Sequence, residues 1–151
     1  MMIVHMKKQR QPKWMPPEPP SVEVIRLETA DGFGIYRSIE VPKDRPSYVD
    51  LEKSVWYQVT QFHDSSVHPS PSVEFSIELD LWPEFMSGFA NVEQYRKWVF
   101  NPYWRRAFSE RGVKMVTYKV QRDEVKFGRT QVLFNKHFSK KVKEEPLANY
   151  L

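Results

Sequence analysis

The stretch from Ser87 to Gly112, SGFANVEQYRKWVFNPYWRRAFSERG, constrains the fold most, because it carries start and stop signals for two consecutive aromatic-rich helices. Asn91 is a good N-cap, and Gln94 three positions later can reach back in a capping box. Val92, Tyr95 and Val99, with Trp98 beside them, recur at spacings of three and four, which gathers them on one side of a helix running to about Phe100. Glu93, Arg96 and Lys97 then face water. Asn101 and Pro102 stop this helix and start a second, since proline suits a first turn whose N–H would be unpaired anyway. Gly112 can close the second helix in the left-handed conformation, with Arg111 at the negative end of its dipole.

The chain of 151 residues is the length of one domain that can bury a core without staples. It has no Cys, which removes disulfides, a thiol nucleophile and a Cys-based zinc site, and fits a reducing compartment. No apolar run approaches the roughly 20 residues that span a bilayer, and the N-terminal stretch lacks the apolar centre of a signal peptide. These features predict a soluble, cytoplasmic protein with no membrane contact.

The formal charge of +4 is unevenly placed. Residues 1–20 carry four basic groups against one acidic, and residues 136–151 carry four against two. Within the body, 21–95 holds 5 basic and 13 acidic groups, whereas 96–129 holds 10 basic and 3 acidic. One part of the fold is therefore expected to be acidic and another basic.

Residues 1–20, with five of the twelve prolines and no period, read as a mobile basic and proline-rich arm. SVEVIRLE from Ser21 suits a strand, TADG a turn and FGIYRSIEV the returning strand of a hairpin. Residues 42–72 are broken by prolines, with Leu51, Val55, Trp56 and Val59 permitting a short helix between the breaks. Val73, Phe75, Ile77, Leu79 and Leu81 alternate with Glu74, Ser76, Glu78 and Asp80, which predicts a half-buried strand with an acidic outer face. After the helices, VKMVTYKV reads as a strand, Gln121 to Glu124 as a turn, and VKFGRTQVLFN as another strand bent at Gly128. The last segment, KHFSKKVKEEPLANYL, opens as a candidate strand continuation and decays into a charged tail, so the expected organisation is an arm at 1–20, a domain at 21–138 and a charged tail at 139–151. The fold class is α+β: a single domain with a mainly antiparallel sheet and two consecutive helices packed on one face.

Three groups of residues are candidates for function. His63 and His68, with Asp64 between them, lie in the 42–72 excursion, where two histidines and a carboxylate could ligate a metal or act as acid and base. Their spacing matches no metal signature, so no metal site is expected. Arg96, Lys97, Arg105, Arg106, Arg111 and Arg129 accompany Trp98, Tyr103, Trp104 and Phe127, a mixture that suits an acidic protein partner, a second copy of the chain, or nucleic acid held through 96–129. Against this stands core packing, with the aromatics on the buried helical face and the charges simply solvated.

The third group rests on a resemblance. GIYRS at 34–38, SGFAN at 87–91 and RTQVLF at 129–134 are similar to strand pieces of the mono-ADP-ribosyltransferase superfamily. That resemblance implies NAD or a related nucleotide bound between Arg37 with its neighbour Tyr36, the polar groups Ser87 and Asn91, and Gln131; His68 is a separate candidate for ligand binding. Arg37 and Gln131 would take the catalytic positions. Gln131 stands where the family carries a glutamate, and a neutral amide does not supply the negative charge that an oxocarbenium-like transition state wants, so impaired transfer is implied. The family's serine motif is also missing. Separately, HPSP followed by GFAN-x-EQ, a helix and QVLF resembles small phage and prophage proteins, a likeness that implies no activity. The expected function is that of a small phage-type accessory protein binding a host or phage protein. The nucleotide-binding and nucleic-acid readings stand beside it.

Overall fold

A computed structural model describes residue 14 and residues 19–36, 55–76 and 85–151. The β-branched run at the start gives β1, Ser21–Glu28. Its partner along its whole length is β3, Lys114–Gln121, antiparallel from Ser21↔Gln121 to Glu28↔Lys114. On the far side of β3 lies β6, Ser139–Pro146, also antiparallel. A second sheet has the order β2, β5, β4, with β2 at Phe85–Gly88, β4 at Val125–Phe127 and β5 at Val132–Asn135. The sheets meet at one bridge, where Ile25 and Phe89 exchange backbone hydrogen bonds of 2.9 and 2.7 Å. Gly88 makes this approach feasible, since a Cβ there would run into the Ile25 carbonyl oxygen.

Alternation along β1 and β3 sends side chains into two cores. Val22, Val24, Val116, Tyr118 and Val120 meet Val132 and Phe134 of the second sheet. Ile25, Leu27 and Met115 point the other way, toward the helices. These are α1 at Val55–Phe62, a single turn α2 at Pro71–Glu74, α3 at Val92–Trp98 and α4 at Pro102–Glu110. Tyr95, Trp98, Val99 and Phe108 of the consecutive pair fill this core together with Val55, Val59 and Phe62 of α1. The α+β class and its helix-covered sheet are as the sequence predicts.

The caps follow their residues. Asn91 accepts from the Gln94 N–H at 2.8 Å, while the Gln94 amide oxygen accepts from Ala90 N–H at 2.7 Å, one residue beyond the usual box. Asn101 caps α4 through the Tyr103 N–H, and Gly112 has φ 81°.

Three local expectations are corrected, and a fourth is described only at its start. Of the return strand of the first hairpin, residues 33–36 are described and make one bridge, Gly34 to Glu28, on the edge of β1 away from β3; residues 37–41 lie outside the described residues. The alternating segment from Val73 begins as a helical turn: Pro71 at its first position presets φ, Val73 is exposed, and Glu74 turns inward to Thr130 instead of facing water. Its remainder, 77–81, lies outside the described residues. The single bent strand at 125–135 is a hairpin, reversed by a loop in which Gly128 N–H donates to Gln131 O at 2.8 Å. The segment after 138 is charged, as expected, but forms an eight-residue strand followed by a turn that buries Leu147. Pairing along β3 supplies the order that its own composition does not. Among the described residues no helix is long and apolar enough to cross a membrane.

Candidate functional site

A cleft of about 710 Å³ opens where β1 and β2 part beyond the Ile25–Phe89 bridge. Phe89 and Trp98 contribute rings, Ile35 and Met86 apolar walls, and Ser87 and His63 polar groups. Arg26 spans the opening: its Nε donates to the Ser87 carbonyl at 3.1 Å and its Nη1 to Glu28 at 2.9 Å. An Arg within a β-branched strand is a sequence signal for such a role, and sequence reasoning passed over it.

Trp98 organises the cleft wall. Its indole N–H donates to the Tyr36 hydroxyl at 2.8 Å, and its carbonyl accepts from His68 Nε2 at 2.7 Å. Asp64 N–H donates to His68 Nδ1 at 3.1 Å, so the partners fix the neutral tautomer. Burial holds His68 below its ordinary 6.5, opposed by its bond to the Trp98 carbonyl. Burial also pushes the Tyr36 phenol upward, opposed by the Trp98 N–H, so Tyr36 remains a neutral hydroxyl. His63 Nδ1 lies 3.4 Å from that hydroxyl. The group can bind through apolar contact and hydrogen bonds.

Of the residues predicted to bind ligand, Tyr36, Ser87 and Gln131 all line this cleft. Gln131 is buried, and its amide N–H donates to the Pro69 carbonyl at 2.8 Å. Asn91 is occupied as a helix cap and His68 lies behind the wall. Arg37 lies outside the described residues. Among the described residues no group of three or more His, Asp or Glu side chains stands close enough to hold a metal ion.

The predicted basic surface divides into two sets. Arg105 donates to the Val99 carbonyl at 2.6 Å and Arg111 to the Ala107 carbonyl at 2.8 Å, so both serve helix ends. Arg96, Lys97, Arg106 and Arg129 are exposed. Tyr95 and Trp98 are buried as the periodicity predicts and Phe108 is buried with them, but Phe100 and Tyr103 are 63% and 61% exposed.

Fold and cleft together define a small α+β protein with an aromatic-walled cleft between diverging strands. The sequence model of the Bacteriophage T4 Y00F protein family matches residues 15–148, and the chain belongs to that family. No curated protein and no solved structure matches the chain. The resemblance to small phage proteins is thereby borne out, whereas the similarity to mono-ADP-ribosyltransferases gains no support from these comparisons.

Proposed function

We propose that this phage-type protein is an accessory factor that binds a protein partner of the phage or its host through the outer surface of α3 and α4. The carrying observation is the exposure of Phe100 and Tyr103 beside the exposed cations Lys97 and Arg106. Large aromatics with Arg are the side chains that supply most binding energy at protein interfaces. Exposed Glu93 and Glu110 share the surface, and Glu93 pairs with Lys97 at 3.5 Å. Carboxylates among the cations oppose a phosphate backbone more than a mixed-charge protein face, which favours protein over nucleic acid. The test compares wild type with Tyr103→Ala and Arg106→Glu after confirming unchanged melting. A specific protein captured from infected host cells by wild type and lost by both variants supports this reading. Salt-sensitive binding to single-stranded DNA or RNA, lost in the same variants, transfers the surface to nucleic acid.

A second reading is favoured by the cleft that brings Tyr36, Ser87 and Gln131 together: a site for a small ligand with an aromatic ring, of which a nucleotide is the predicted kind. Melting with NAD and ADP-ribose tests it. A ligand at 100 times its dissociation constant stabilises by roughly 2.7 kcal/mol, a shift of several degrees in a domain of this size. The shift is expected to vanish in Arg37→Ala.

A further inference from the structure

We infer that the chain forms a two-fold homodimer through β6, whose outer edge pairs antiparallel with the same strand of a second copy. β6 ends its sheet, and among the described residues no strand or bridge occupies its other side. Its backbone groups on that side are a template for one more strand.

The choice of a second copy comes from charge. Read antiparallel about its own centre, SKKVKEEP sets Lys140 opposite Glu145, Lys141 opposite Glu144 and Val142 opposite Lys143. Two-fold symmetry doubles the charge pairs to four. The register against β3 puts each pair on a common face: Lys141 and Glu144 lie opposite Tyr118 and Val116, while Lys140 and Glu145 lie opposite Lys119 and Met115. Residues 116 and 118 share one face of β3, and 115 and 119 the other. The carboxylates already have partners in the chain: Glu144 pairs with Lys141 at 3.0 Å, and Glu145, its side chain 15% exposed, pairs with Lys143 and accepts from the Tyr150 hydroxyl at 2.5 Å. The opposed Lys143 stem can cover Val142, which is half exposed.

The same features reject other partners. A Lys-rich edge with a bulge at Val142 and a terminal proline resists pairing with unrelated strands. A strand carrying the reversed charge order sets Lys140 and Lys141 each against a carboxylate. The backbone ladder provides attachment, and the pairs formed by the exposed Lys140, Lys141 and Glu144 make it salt-dependent. This interface is independent of both the α3–α4 surface and the cleft.

The test is the mass of the full chain by light scattering and sedimentation across a concentration series. Wild type is expected to approach twice the monomer mass at low salt and to fall toward the monomer at high salt. Lys140→Glu alone places Glu against Glu145, and Glu145→Lys alone places Lys against Lys140, so each variant is expected to be monomeric. Mixed together they restore both oppositions and should recover the dimer. Matching melting curves confirm that the variants fold; should Glu145→Lys fail to fold, Glu145→Gln replaces it and is expected to weaken the dimer at least tenfold. A wild type that stays monomeric at every concentration overturns the inference. So does a dimer that persists in Lys140→Glu, which would place the interface elsewhere.

Discussion

Both ring nitrogens of His68 are committed, Nε2–H to the Trp98 carbonyl and Nδ1 to the Asp64 N–H, and the side chain is 1% exposed. Its folded-state pKa is depressed below 6.5, chiefly by burial. As pH falls through 6.5 the unfolded chain takes up a proton that the folded chain resists, so stability is lost on acidification. The urea midpoint of wild type is expected to decline from pH 7.5 to pH 5, and a His68→Gln chain to show a shallower decline. Glu28 is buried too, also 1% exposed, accepting from Arg26 at 2.9 Å, Tyr118 at 2.5 Å and Lys141 at 3.3 Å. Burial, reinforced by that bond to the carboxylate, pushes Tyr118 up to about 12. Glu28→Ala strands the Arg26 guanidinium in a mostly buried place and should cost about 3 kcal/mol by urea denaturation. Neither role was legible in the sequence. His68 reads as an exposed loop residue, and Glu28 as the polar end of a strand, because the partners that bury them, Trp98 for His68 and Tyr118 and Lys141 for Glu28, lie 30 to 113 residues away.

At the level of elements, α3 and α4 are local objects. Asn91, Asn101 and Gly112 act within one turn of themselves, which is why they could be read from spacing alone. Asn91→Ala is expected to lose about 1 kcal/mol in urea denaturation, since the Gln94 N–H loses its acceptor. The Gln94 side chain reaches further, donating at 3.3 Å to the carbonyls of Gly128 and Arg129, and so ties the start of α3 to the β4–β5 turn. The β2–β1 junction is of the opposite kind. Gly88 reads only as a small residue before a helix, yet its missing side chain lets two backbones from distant strands touch. Gly88→Ala is expected to lower stability by roughly 1–3 kcal/mol through overpacking and to raise amide exchange at Ile25 and Phe89, whose mutual hydrogen bonds it separates.

For the whole molecule, closure depends on the segment after β6. Leu147 is 1% exposed in the core shared by the helices and by Leu27 and Met115. Leu147→Ala is expected to cost about 3 kcal/mol of global stability, measured by urea denaturation, whereas an exposed tail residue would cost nothing measurable. The sequence by itself determined the α+β class, the two capped helices, the β-branched strands at 21–28 and 113–120 and the membership of a phage family, because each follows from residues close in the chain or from the pattern of the whole. Tertiary structure alone decided that the charged C-terminal run pairs with β3 for eight residues and then buries Leu147, that an alternating run opens as a helical turn, and that Phe100 and Tyr103 turn outward. Those outcomes depend on which edges and faces remain unpaired after β1 meets β3, a competition between distant segments that periodicity and propensity do not register.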